Sequence, residues 1–167
     1  MGIVKDLTVG QTLKVYEDGT AVEFIVAQHN YEKDLNGKGK TLLMRAGLLA
    51  DTVSWGHSNS IGQSYANSSE PRSWLNNTYA KRLSQDVLDV IKPVTIRYKA
   101  DNSNSSLADQ RFFIPMVDDF GGNSDVCKFL AEHKVDYADS RATQNVDAGN
   151  SDNEGGYYYA LRSNVYY

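Results

Sequence analysis

The sequence predicts an α+β domain. Three observations predict it. Short runs rich in Val, Ile, Phe, Tyr and Thr alternate with turn residues, capped stretches carry apolar residues at helical spacing, and long polar loops separate them. The chain has 167 residues and a hydrophobic fraction of 41%. That suits one domain over residues 1–167, and neither an internal repeat nor a domain-scale linker breaks it. A chain of this size buries roughly 70% of its unfolded surface and needs no disulfide. Its single cysteine, Cys127, excludes an internal one and fits a reducing compartment.

The first strands are predicted over Thr12 to Glu17 and Ala21 to Gln28. Asp18-Gly19 between them is a hairpin turn signal, because glycine takes positive φ without a Cβ clash. Val22, Phe24 and Val26 form an apolar face. "NYEKDLNGKGK" reads as a loop, and Thr41 to Arg45 as a third strand. Asp51 to Ser69 is dense in Ser, Asn and Gly yet carries Trp55, Ile61 and Tyr65, the mark of a packed loop. A helix starts after it: Ser68 or Ser69 caps, Glu70 favours the first turn, and Pro71 suits the first helical position. Ser84 caps a second helix, with Val87, Leu88 and Ile91 on one face, and Pro93 stops it near Ile91. Val94 to Lys99 reads as a strand, "ADNSNSSLADQ" as a polar loop and Arg111 to Pro115 as a short buried strand. "DVCKFLAEHK" predicts a third helix capped by Asn123, Ser124 or Asp125, and Asp139 to Gly156 is polar and turn-rich.

Several function classes are disfavoured. Net charge is −4, with 17 basic and 21 acidic residues and no basic block, so no nucleic-acid partner is expected. No apolar run approaches the roughly 20 residues of a membrane helix, so no membrane insertion is expected. The N-terminus lacks the apolar centre of a signal peptide, and Asp6 stands where a myristoylation signal wants Ser or Thr.

Candidate chemical motifs are weak. Gly39-Lys40-Thr41 ends like a phosphate-binding loop, but Asp34 occupies the place of the required first glycine. His29, His57 and His133 lack ligand spacing with one another or with Cys127, so each is read as structural or exposed. Cys127, beside Phe129 and Leu130, is read as a small core residue. Asp118, Asp119, Asp147, Asp152 and Glu154 do not match a calcium loop. No catalytic residue, metal or cofactor is assigned.

The stronger signal is compositional. Five of eleven tyrosines (Tyr157, Tyr158, Tyr159, Tyr166 and Tyr167) lie in "NEGGYYYALRSNVYY", and Asn, Ser and Gly fill the loops. Tyrosine offers large, rigid contact, while Ser, Gly and Asn supply adaptable hydrogen bonds. A packed strand over Tyr157 to Tyr159, with Tyr158 buried, is the competing reading.

"GIVKDLTVGQTLKV", "VEFIVAQHNY", "TLLMR", "YANSSEPRSWLNNTYAKRLSQDVLDVI" and "VTIRYK" together resemble a family of uncharacterised domains. These occur in virion and tail proteins of phages of gut Firmicutes and in some bacterial surface proteins. The resemblance runs from Gly2 to about Ser163, with "YYYALRS" standing where the family carries "WWLRSP". That family resembles the C-type-lectin-like fold of formylglycine-generating enzymes and phage receptor-binding proteins. The resemblance implies a mixed sheet, two or three short helices and long ligand-bearing loops. The strands bearing the family's closing "VRPA" are missing after Asn164, so against the family pattern the chain is a natural short form, or a fragment, or a chain whose remaining strands a partner supplies. The nearest match to a lectin "EPN" triplet is Glu70-Pro71-Arg72, so calcium-dependent sugar binding is not implied.

The expected function is that of a non-enzymatic virion protein, made in the host cytoplasm, that binds a host-surface glycan or protein or another virion subunit. A homo-oligomer or larger assembly is expected. Expected contact residues are Tyr157, Tyr158, Tyr159, Tyr166 and Tyr167, with Trp55, His57 and Asn59 on the irregular loop. The alternatives are a capsid-decoration or tail-assembly subunit, and a virion glycan hydrolase, which needs two carboxylates facing across a cleft.

Overall fold

The computed structural model describes residues 4–47, 49, 51, 53, 69–100 and 103–114. These form a small α+β fold of two antiparallel sheets and a few short helices.

Strand β1 (Thr12–Glu17) turns through Asp18-Gly19 into β2 (Thr20–His29), which pairs in turn with β3 (Thr41–Arg45). The turn works as its residues require: Asp18 and Gly19 both have positive φ, +47° and +79°. Strand β2 extends one residue beyond the predicted run at each end. A bulge at Ala27 shifts the β2–β3 register between Val26 and Gln28.

The connection over residues 30–40 is not wholly loop, as "NYEKDLNGKGK" suggested. Lys33–Asn36 forms one helical turn, α1, because Gly37 at φ +72° closes it. Helix α2 (Ser69–Ser73) holds Glu70 in its first turn, as predicted, while Pro71 is its third residue rather than its first. It continues as a π turn over Trp74–Thr78 and a 3-10 turn over Tyr79–Arg82. Helix α3 (Gln85–Val90) ends before Pro93. The Ser84 hydroxyl bonds the Asp86 carboxylate rather than a backbone N–H, and this bond is the main cause holding that carboxyl below its ordinary range.

Strand β4 (Val94–Ala100) pairs antiparallel with β5 (Ser103–Gln110). Here two sequence expectations fail. "ADNSNSSLADQ" is mostly strand, because Ser103–Gln110 pairs with β4 and sets Leu107 opposite Ile96. Arg111 to Ile114, expected as a strand, is irregular, although Phe113 and Ile114 do pack on the core. Every pairing among the described residues is antiparallel, where a mixed sheet was expected. The third predicted helix and the segment after Asp139 lie outside the described residues.

The core lies between the sheets. Ile25, Ala27, Leu42 and Met44 from the first sheet meet Ile96 from the second, with Tyr31 closing one side. Val94, Tyr98, Leu107 and Phe113 pack against that cluster, and the Tyr31 and Phe113 rings stack at 5.7 Å. Asn36 joins the layers through backbone rather than apolar contact. A bulge in β5, where Ala108 and Asp109 stand against Thr95 alone, leaves Thr95 outside the ladder, and the Asn36 amide bonds both its C=O (2.8 Å) and its N–H (2.7 Å).

Candidate functional site

On the opposite face of the first sheet, apolar alternation ends in charge. Leu13 and Val15 are followed in phase by Glu17, and the cross-strand neighbours Val22, Phe24 and Arg45 share that face. Glu17 is buried, at 6% exposure. A buried carboxylate is costly unless paired and hydrogen-bonded. Arg45 Nε and Nη2 donate to its two oxygens at 2.9 and 3.0 Å, and the Tyr79 hydroxyl donates to Oε1 at 2.6 Å.

The irregular helix presents Tyr79. A π turn carries an extra residue, so the side chains after it are rotated relative to an α-helical register. The Tyr79 N–H reaches both the Leu75 and Trp74 carbonyls across this turn. Its ring stacks on Trp74 at 6.2 Å and meets Phe112 edge-on at 5.5 Å. Asn76, inside the π turn, donates to the Phe112 C=O and accepts from its N–H, so strand exit and helix are tied together.

A second, more exposed tier surrounds this centre. Arg82 lies over the Trp74 ring at 5.5 Å and donates to Asp51 Oδ1 at 2.8 Å. Its Nε is 3.8 Å from Asp18, whose N–H bonds the Arg82 carbonyl. The Arg82 hydrogen bond is the main cause holding the Asp51 carboxyl below its ordinary range, with that cation's charge adding to it.

These groups hold one another in place. Burial first, and the hydrogen bond to Glu17 second, push the Tyr79 hydroxyl well above its ordinary pKa, so it stays a donor. Glu17 is saturated by its partners. Both tiers hold the chain just past β3. Arg45 Nη1 donates to the carbonyls of Ala46 and Gly47 at 2.9 and 3.1 Å, and Asp51 is held by Arg82. The cluster is therefore a clamp tying the chain just past β3 to the irregular helix.

Trp55, His57, Asn59, Tyr157, Tyr158, Tyr159, Tyr166 and Tyr167 lie outside the described residues. So do Cys127, His133 and the acidic residues from Asp118 onward. His29 has a structural place: Nε2 donates to the Leu7 carbonyl at 2.7 Å, and Nδ1 is hydrogen-bonded with the Thr41 hydroxyl at 3.0 Å. Thr41, the last residue of the phosphate-loop-like triplet, is thereby engaged in the fold. Among the described residues no group of three His, Cys, Asp or Glu side chains could hold a metal ion. The clamp residues Glu17, Arg45, Asp51, Tyr79 and Arg82 escaped the sequence reading. A signal for two of them was present, since Glu17 continues the phase of Leu13 and Val15, and Arg45 that of Leu43.

Residues 38–167 match the family described as "Domain of unknown function (DUF6273)". That stretch is well over half of the chain, and the chain belongs to this family. No curated protein and no solved structure matches it.

Proposed function

We propose that this member of the DUF6273 family is a non-enzymatic binding protein of a phage virion with a C-type-lectin-like fold. It attaches to a host-surface ligand or to another virion protein. Trp55, His57 and Asn59, with Tyr157, Tyr158, Tyr159, Tyr166 and Tyr167, make the contacts by stacking and hydrogen bonding.

One observation supports the reading: the Glu17–Arg45–Tyr79 clamp holds Gly47, just before the segment that bears Trp55, His57 and Asn59. Binding residues concentrate on loops held by a rigid scaffold, because a fixed base lowers the ordering cost on binding. The aromatic and amide content of that segment and of the C-terminal stretch supports the same reading. The resemblance of "YANS", "WLN" and "VTIRYK" to virion proteins supplies the biological setting.

The test uses phage carrying Trp55→Ala with His57→Ala, or Tyr166→Ala with Tyr167→Ala. Intact particles that adsorb poorly to host cells are expected. Loss of particle assembly instead assigns a structural subunit. Normal assembly with normal adsorption in both variants overturns the proposal.

A further inference from the structure

We propose that two copies of this chain pair antiparallel along the outer edge of β1. Val15 then faces the second copy's Val15, and each Lys14 faces the second copy's Tyr16. The inference is independent of the proposed function.

The hydrogen-bond phase of the sheet exposes the edge. Val26 N–H donates to the Gln11 carbonyl, and Gly10 N–H donates to the Val26 carbonyl, both at 2.9 Å. On the other side of β2, the Ala46 N–H donates to the Glu23 carbonyl at 2.8 Å. Bonded pairs recur every second residue in an antiparallel ladder. In the observed register, Leu13, Val15 and Glu17 therefore bond to β2. Thr12, Lys14 and Tyr16 turn their N–H and C=O groups to the outside. Among the described residues β1 has β2 as its sole strand neighbour. The side chains of Thr12, Lys14 and Tyr16 are exposed, Tyr16 by 60%.

An edge of this kind is a template for another strand unless something blunts it. Lys14 is the one charged residue of the outward set, and it selects the register rather than forbidding pairing. In a two-fold pair, outward residues must face outward residues, so the axis passes through a residue. An axis at Lys14 or at Val15 keeps the strand paired along its length. At Lys14 it sets two ammonium groups directly opposite, which is destabilising. At Val15 it sets each ammonium against an exposed tyrosine ring, a favourable contact. The two valines then meet as a non-hydrogen-bonded pair, where side chains approach most closely. The contact is isologous, as a two-fold interface requires. A single strand pair buries less than a standard interface, so the association is weak and concentration-dependent.

Sedimentation of the full chain over a concentration series should show a reversible monomer–dimer equilibrium. Lys14→Pro removes one outward N–H and no bond to β2. It should abolish the dimer with an unchanged circular dichroism spectrum, while Lys14→Ala keeps the backbone donor and the dimer. The register is read in a Cys127→Ser background with copper phenanthroline as oxidant. Val15→Cys should form disulfide-linked dimers several-fold faster than Leu13→Cys, which keeps Lys14 and lies away from the axis. The proposal is overturned by a monomer at every concentration, by a dimer that Lys14→Pro leaves intact, or by equal crosslinking at both positions. If Lys14→Pro loses the fold, the cysteine pair decides alone.

Discussion

At the scale of residues, the clamp separates interactions of unequal worth. Glu17 is buried, so removing it strands the largely buried Arg45 guanidinium without its carboxylate. Glu17→Ala should cost about 3 kcal/mol or more, in the range for a broken buried pair. Arg82–Asp51 is more exposed, and Asp51→Ala should cost under about 1 kcal/mol. Urea denaturation of both variants checks the contrast; equal losses would mean that burial does not rank these pairs. Tyr79 gives a pH signature. Its pKa is raised in the fold, by burial first, above the ordinary value of about 10. The unfolded chain therefore loses this proton first. The contribution is fully present below about pH 10 and is lost as pH rises toward the folded pKa. Tyr79→Phe should lower stability at neutral pH but flatten its decline above pH 10, as thermal melts across alkaline pH would reveal. The sequence hinted at this cluster only through charges that continue an apolar phase. Which helical residue met Glu17 was illegible, because a π turn is set by tertiary contacts and resets the helical phase before Tyr79.

At the scale of elements, what could be read depended on how local each cause was. The β1–β2 turn is specified by Asp18-Gly19 alone, and the structure has it. Gly19 sits at φ +79° with open space where a side-chain methyl would stand, so Gly19→Ala suffers backbone strain without a clash. It should cost about 1 kcal/mol, while Lys14→Ala on the same hairpin stays near zero; thermal melts compare the two. Strand β5 was missed for the opposite reason. Its Ser and Asn residues have weak strand propensity, and pairing with β4 overrides that preference. The Asn36 bond to Thr95 was likewise invisible, since its partners are 59 residues apart. Asn36→Ala leaves both Thr95 backbone groups without that amide and should cost about 1–3 kcal/mol. Hydrogen exchange at the Thr95 amide should accelerate in that variant beyond the change at Ile96. An equal change at both amides would make Asn36 a general stabiliser rather than the cap of a bulge.

At the scale of the whole molecule, the α+β class was legible because it rests on run length and spacing, which are local. The packing of two sheets was not, since it joins residues far apart in sequence. That packing bears on the family match. The match begins at Lys38, so β1, β2 and α1 lie before it. Those elements nonetheless supply Ile25, Ala27 and Tyr31 to the core, and Glu17 to the clamp. Residues 38–167 alone keep β3 without the strand that pairs with it in the described sheet. Leu42, Met44 and Ile96 would lose their central neighbours, and Arg45 its carboxylate. A sheet reduced in this way cannot bury enough apolar surface to offset chain entropy. The fragment should therefore show no cooperative thermal transition, whereas the full chain shows one. Adding residues 4–37 as a separate peptide should restore the transition if the lost contacts are the cause. A fragment that melts cooperatively without the peptide would mean that the hairpin is an appendage, and that the core between the two sheets is not the unit that folds.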